Sequence, residues 1–302
     1  MNAIRILLSE SIDYAGLFPP AELDMGTALN NYAQYLVGPS SWALGRFIVP
    51  VSRLAELEVA LQRIPSRQLE LPRRFAALLG KDVEEDVQLL EAFNRHHSDR
   101  GATIDSVEVK ATSENSIGAI TRVVPASFET YIEIPIDREP GGLIAAIGQG
   151  GRRAKVRTGG VTQDAFPPTA DLVRFLREAA HRGVPFKATA GLHHPLRAAY
   201  RLTYAEGGPS GTMFGFLNLL LAVAFLRSGM KDPEVAQVLE EGEPDGFQAD
   251  DSGITWRKRF LDLKVLGDMR RLGMISFGSC SFTEPLSDLE ALHLLPLQVR
   301  QA

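Results

Sequence analysis

The sequence predicts an α/β fold of the (β/α)8 TIM-barrel class, with a helical insertion before the last strand. Three observations carry that expectation. Eight short strand-like runs alternate with helical patterns along the chain. The stretch from Arg152 to Pro195 reads strand, glycine turn, helix, strand, glycine turn, with RRAKVRTGG answered by VPFKATAGLHHP. The chain has 302 residues, 45% of them hydrophobic and 23% charged, enough for a sizeable core. An open doubly wound sheet is the alternative that the same alternation allows.

The first strand is Ile4–Leu8 or the nearby Ser11–Gly16. The others are Leu44–Val49, Phe75–Leu79, Ser106–Lys110, Tyr131–Ile136, Ala154–Thr158, Pro185–Thr189 and Met274–Ser281. Helical spacing of apolar residues fills the gaps. Thr27–Leu36 has one apolar face, Val51–Ile64 repeats Leu54, Leu57 and Leu61, and Val83–Phe93 repeats Val83, Val87 and Leu90. Ala170–Arg182 carries Leu172, Val173, Leu176 and Ala179, with Gly183 beyond it as a C-cap signal. Between Pro195 and Met274 no strand is evident. This segment reads as a helical insertion, about 196–272, in a single domain spanning 1–302. It contains the apolar run Met213–Leu226, a second helix around Trp256–Leu272 and the glycine-rich GGPSG at 207–211, a loop near the barrel mouth or a plain linker. Met213–Leu226 is too short to cross a bilayer and is expected to be a buried helix or a dimer contact.

Strand alternation sorts the side chains. Ile132, Ile134 and Ile136 form a helix-facing set, which turns Tyr131, Glu133 and Pro135 inward. By the same logic Ser106, Glu108 and Lys110 point inward, as do Lys155 and Arg157, and Lys187 and Thr189. Barrel interiors are ordinarily filled by branched apolar residues, and a buried ammonium needs a partner. The charged set therefore reads either as mutually satisfied internal salt bridges or as a site for an anionic or carbonyl substrate at the C-terminal ends of the strands.

Composition narrows the function. A net charge of −5 and a pI near 5.8 argue against a general nucleic-acid binder. One cysteine, Cys280, excludes an intrachain disulfide framework and fits a cytoplasmic setting, and the first residues lack the pattern of a signal peptide. Cys280 reads as a packed thiol. His193 and His194 follow the seventh strand and are candidates for proton transfer or substrate contact. Gly278 and Ser279 open a small-residue turn that could cradle a phosphate. No HxH or HExxH spacing suggests a metal and no GxGxxG follows a strand, so neither metal nor cofactor is expected.

The segments KVRTGG and FKATAGLHHP resemble the two-lysine region of deoxyribose-phosphate aldolases, K-T-S-T-G and V-K-A-(A/S)-G-G-I-R, at a similar lysine spacing. SIDYAGLFPP resembles that family's opening, I-D-H-T-L-L-x-P, and ALGRFIVPVSRLAEL sits where the family has V-C-V-N-P. The resemblance covers about half of the chain in pieces. It implies a TIM barrel of the class I aldolase type, with Lys155 as the Schiff-base lysine and Lys187 as the second lysine. Val156-Arg157 replace the family's Thr-Ser, Gly191-Leu192-His193-His194 replace Gly-Gly-Ile-Arg, and the family's proton-shuttling Asp is matched most nearly by Glu108.

The reading that results is a lyase acting on a small carbonyl or phosphorylated compound. Lys155, Lys187, Glu108 and Glu133 are its catalytic set. Arg157, Lys110, Thr189, His193, His194, Gly278 and Ser279 are its substrate contacts. Arg157 and Lys187 would hold Lys155 deprotonated by like-charge repulsion. Two alternatives stand beside it. One is a barrel phosphoribosyltransferase or sugar-phosphate isomerase that binds its anion without covalent chemistry. The other is a non-catalytic barrel whose insertion mediates assembly. The expected partner is a small anionic substrate, with no nucleic acid, no membrane and a possible homodimer.

Overall fold

The computed structural model describes residues 2–63, 72–97, 99 and 101–296. Eight parallel strands close into a barrel: β1 (Ile12–Tyr14), β2 (Leu44–Pro50), β3 (Arg73–Leu78), β4 (Ala102–Lys110), β5 (Glu129–Glu133), β6 (Arg153–Arg157), β7 (Phe186–Thr189) and, last in the chain, β13 (Met274–Ser279), which closes the ring between β7 and β1. The eight sequence-predicted strands correspond to these, with β1 at the second of its two candidate positions. The first candidate, Ile4–Leu8, lies in helix α1 (Asn2–Leu8). Ala3, Ile4, Leu7 and Leu8 are buried along one side, the spacing of a helix and not of a strand.

Helices α2 (Met25–Val37), α3 (Leu54–Leu61), α4 (Val83–His97), α5 (Glu114–Val123), α6 (Gly141–Gln149) and α7 (Thr169–Arg182) connect the first seven strands. Asp24 caps α2 by accepting the Thr27 N–H at 2.9 Å, and Gly183 ends α7 in the left-handed region at φ 64°. The helix expected over Val51–Ile64 begins with a 3-10 turn at Val51–Arg53 and continues as α3; Ile64 lies outside the described residues.

The segment between β7 and β13 is richer than the expected helical insertion. It opens with an antiparallel hairpin, β8 (Ala198–Arg201) and β9 (Ser210–Met213). Helices α8 (Phe216–Arg227) and α9 (Asp232–Leu239) follow, then a three-stranded antiparallel sheet of β10 (Phe247–Ala249), β11 (Gly253–Trp256) and β12 (Arg259–Asp262). The helix read over Trp256–Leu272 is therefore corrected: Trp256 ends β11, and α10 starts at Leu263 and ends at Leu272. The hairpin strands are four residues each. β11 turns into β12 through Arg257 and Lys258, with Arg257 at a φ of 53° in place of the usual glycine or asparagine. Strands this short leave little periodicity to read. A last helix, α11 (Thr283–Ala291), follows β13.

The apolar run is buried, as its composition predicts. Residues Phe216 through Phe225 are all buried in α8, which packs on β13, α7, α9 and α10, with the Phe216 and Phe277 rings stacked at 4.9 Å. Among the described residues no helix is long and apolar enough to cross a membrane.

One polar side chain interrupts α8. Asn218, fully buried, accepts the Arg197 N–H at 3.0 Å and donates to the carbonyls of Val238 at 2.7 Å and Glu241 at 2.8 Å. It ties the chain leaving β7 to the C-terminal end of α9, whose last carbonyls have no partner within the helix. Replacing Asn218 by Ala would orphan these backbone groups and is expected to lower unfolding free energy by about 2–4 kcal/mol. Asn218→Asp, which removes the donor, should be comparably damaging, and denaturant midpoints of the two variants measure both effects.

Candidate functional site

The barrel register explains why charged residues from separate strands meet. Glu133 pairs with Lys155, Lys155 with Lys187, and Lys187 with Ser276, so these residues occupy neighbouring places around the interior. The side chains form a chain of alternating charge. Lys187 Nζ lies 2.5 Å from Asp13 Oδ2 and 2.5 Å from Glu108 Oε1. The other oxygen of Glu108 receives Lys155 Nζ at 2.7 Å, and Lys155 reaches Glu133 at 2.8 Å. Arg157 ends the series, its Nε 3.6 Å from Glu133. Asp13 is fixed by the Arg46 backbone N–H at 2.8 Å and by the Ser276 hydroxyl at 2.7 Å. Gly45 is required there: a Cβ would stand 2.3 Å from Asp13 Oδ1.

The internal salt bridges that were one of the two expected readings are present, and they bear on the expected repulsion among the cations. Glu108 stands between the two lysines, which share its carboxylate. Burial favours a neutral Glu108, but Lys155 and Lys187 reverse this and hold its pKa at about 2. Burial likewise disfavours the charged Lys187, and Asp13 and Glu108 overcome it and raise its pKa above the ordinary lysine value. Burial also pushes Glu133 upward, and Lys155, Arg157 and Lys110 together bring it below the usual carboxylate range. Lys187 Nζ further sits 5.4 Å from the centre of the Tyr131 ring.

Above this network, at the C-terminal ends of the strands, lies a cavity of about 330 Å³. Lys155 and Glu108 reach its floor, and Arg157, Thr189, His193, His194 and Gly278 contribute to its walls. Lys187 does not reach it and is fully buried. Lys110 is exposed, contrary to its inward assignment. It ends β4 beyond the packed interior and lines a neighbouring hollow together with Glu133 and Arg157, its ammonium 3.7 Å from Glu133. A larger hollow of about 690 Å³ lies against α2 and α3, and no residue of the ion network lines it.

The two glycine turns singled out in the sequence have a common cause. A Cβ on Gly159 would meet the Phe166 ring at 2.4 Å, and one on Gly191 would meet it at 2.7 Å. Gly191 also has a φ of 71° and follows Ala190 at 65°. Phe166 therefore wedges the ends of β6 and β7 against each other, and Thr158 Oγ1 donates to Ala190 O at 2.7 Å across the same junction.

The remaining wall is built from residues that the sequence left partly unread. His193 is buried and faces Ser279 Oγ at 3.3 Å and Cys280 Sγ at 3.6 Å; burial and the adjacent His194 push its pKa down to about 4. His194 Nδ1 is 2.6 Å from Asp288 Oδ2, and its ring stacks on Tyr200 at 3.6 Å. Cys280 is a buried thiol whose pKa burial raises to about 11, which disfavours a thiolate nucleophile. Ser279 is buried, and its hydroxyl is engaged by His193 and not turned to the cavity. Among the described residues no group of three or more His, Cys, Asp or Glu side chains has a metal-binding arrangement.

Asp13, Ser276, Arg201, Tyr204 and Glu284 were not anticipated. Asp13 had a signal: it is the acid of SIDYAG, the segment already matched to the aldolase opening. The hairpin residues Arg201 and Tyr204 had none, because the hairpin itself was not read.

The fold and site define a (β/α)8 barrel with a charged, lysine-bearing cavity at the C-terminal ends of its strands. No protein-family model matches the chain, and no curated protein matches it. Among solved structures, the Bacillus cereus spore cortex-lytic enzyme SleL matches with a TM-score of 0.40 and 11% identity, over 95% of this chain and 74% of that one. A likeness this loose carries no functional argument.

Acid should unfold this protein in two stages. Unfolded His193 takes up its proton near the ordinary 6.5, whereas the folded form resists until about 4, so stability falls with decreasing pH across that window. Glu108 protonates near 4.5 when unfolded and at about 2 when folded, so its contribution is intact above about 5 and is lost between there and about 2. His193→Asn should flatten the upper stage in a pH series of denaturant midpoints. Glu108→Gln leaves two buried ammoniums with one shared carboxylate fewer and should cost about 3–5 kcal/mol at neutral pH.

Proposed function

We propose that this barrel is a carbonyl lyase of the class I aldolase type, with Lys155 as the amine that forms a Schiff base. The observation that carries the reading is that, of two buried lysines sharing Glu108, Lys155 alone meets the cavity floor, while Lys187 is held beneath it by Asp13 and Glu108. A purely structural ion network has no need to present an ammonium to an internal space of about 330 Å³. The resemblance of KVRTGG and FKATAG to the aldolase lysine segments supports the same assignment.

In this mechanism Lys155 passes a proton to Glu133, the acceptor nearer the rim, and its nitrogen attacks the substrate carbonyl carbon. The carbonyl oxygen takes up protons and leaves as water, which gives an iminium. The iminium then draws in the electron pair of the adjacent C–C bond. A hydroxyl on the departing carbon loses its proton and becomes the carbonyl of the released fragment. Protonation of the enamine and addition of water free the second product and return Lys155. Lys187, charged and paired, keeps Glu108 ionised against Lys155 and so keeps the amine aimed upward.

Incubation with aldehydes and ketones plus borohydride, followed by peptide mass mapping, is the test. The expected result is a reduced adduct on Lys155 that disappears in Lys155→Met. An adduct on Lys187 would reverse the two roles. Saturable anion binding without any adduct would replace this reading by the non-covalent isomerase or transferase alternative.

A further inference from the structure

We infer that the cavity accepts a 2-oxo acid with an apolar side chain in preference to a phosphorylated sugar. The inference rests on the Schiff-base reading and names the substrate class for the same site. The cleavable member carries a 4-hydroxyl on the departing carbon, and the simple 2-oxo acids tested below correspond to the product released from the enamine. Its first support is the lining. Phe18 and Pro20 come from the loop after β1, Ile48 and Leu78 from β2 and β3, and Leu202 and Met213 from the β8–β9 hairpin. Leu202 and Met213 are themselves 1% and 3% exposed, so the hairpin brings hydrocarbon to the cavity wall beside the polar Arg201 and Tyr204. A polyhydroxylated chain set against these surfaces would leave hydroxyls unpaired, at a cost in desolvation, whereas an alkyl or aryl group would gain from burial.

The second support is the state of the expected phosphate cradle. Ser279 Oγ faces His193, Ser281 Oγ receives the Glu284 N–H at 3.1 Å, and the Glu284 carboxyl group itself lines the cavity. A phosphate dianion would meet committed hydroxyls and an acid there. Burial, with the nearby Asp288, raises the pKa of Glu284.

The third support is the position of the guanidinium on the Lys155 strand; the other cavity arginine, Arg201, comes from the hairpin and donates to Ala205 O. Arg157 lines the cavity and has long contacts, 3.4 Å to Gly159 O and 3.6 Å to Glu133. It shares a strand face with Lys155, two residues on and about 6–7 Å along the strand. A carbonyl carbon at Lys155 with a carboxylate bonded directly to it, turned to the Arg157 guanidinium, fits that spacing, and a guanidinium fork is suited to a carboxylate. The apolar substituent then points to the hairpin and the loop after β1.

The experiment uses the full chain with phenylpyruvate, 4-methyl-2-oxopentanoate, pyruvate and glyceraldehyde 3-phosphate. Binding is measured by calorimetry without reductant, and adduct formation is measured separately with cyanoborohydride. Phenylpyruvate should bind at least about tenfold more tightly than pyruvate and label Lys155 fastest, as an apolar pocket discriminates by added hydrocarbon. Phe18→Asn, at a partly exposed position, should remove that advantage, and Arg157→Gln should weaken all three oxo acids. Leu202→Asp is the more drastic variant, and Phe18→Asn keeps the test valid if it misfolds. Preference for glyceraldehyde 3-phosphate with labelling of Lys155 would overturn the inference and leave the covalent reading standing. Binding of the apolar oxo acids without an adduct would keep the substrate class and defeat the Schiff base. No binding and no adduct with any of the four would overturn both.

Discussion

Glu108 is the residue on which the interior depends. Its two oxygens serve two buried ammoniums, Lys187 at 2.5 Å and Lys155 at 2.7 Å. Removing an ammonium from water costs several kcal/mol after relaxation, so every cation in the series needs a carboxylate at contact distance. Asp13, Lys187, Glu108, Lys155, Glu133 and Arg157 meet that need by alternating in sign along their contacts. The alternation spans five strands, which makes the register of the barrel a condition of the electrostatics. A slip of one residue in β6 or β7 would turn Lys155 or Lys187 toward the helix layer and away from these carboxylates.

A second ion network closes the N-terminal end of the barrel. Arg46 binds Asp105 at 2.5 Å and Glu129 at 3.0 Å, and Arg153 joins Glu129 at 2.8 Å. Arg74 joins Asp105 at 2.8 Å. The two ends differ in what lies beyond them. At the N-terminal end the ions pair with one another at the edge of the barrel. At the C-terminal end Lys155 and Glu108 border a cavity that the β8–β9 hairpin covers. This asymmetry agrees with the general division of barrels into a stabilising lower face and a chemical upper face.

The barrel was legible in the sequence because its strands announce themselves twice. YIEIPI and SVEVKA alternate, and their apolar members do pack toward the helices, while Glu108, Glu133, Lys155 and Lys187 do converge inside. Glycine turns then mark where β6 and β7 end, and Phe166 between Gly159 and Gly191 is the physical reason they must be glycine. Alternation gives the face of a side chain but not its height. Lys110 shares a face with Glu108, yet it extends past the last layer into solvent. Asp13 was hidden differently, since β1 is three residues long and shows no period of its own. The hairpin and the β10–β12 sheet are not legible because their strands are three or four residues long, too short to show a period.

Under the proposed Schiff-base reading, the charge order also limits which group can hold a proton taken from Lys155. Glu108 is pinned between two cations, and its pKa of about 2 makes it a poor acceptor. Glu133 contacts Lys155 as well, but its other neighbours, Arg157 at 3.6 Å and Lys110 at 3.7 Å, are longer contacts to solvent-facing side chains. An anion bound by Arg157 would draw the guanidinium away from Glu133. Glu133 would then lose one of the positive neighbours that hold its pKa down, and its affinity for a proton would rise. Substrate binding at Arg157 and deprotonation of Lys155 would in this way be linked through a single carboxylate. The amine would be freed only when the cavity is filled, and the empty site would keep its lysine paired.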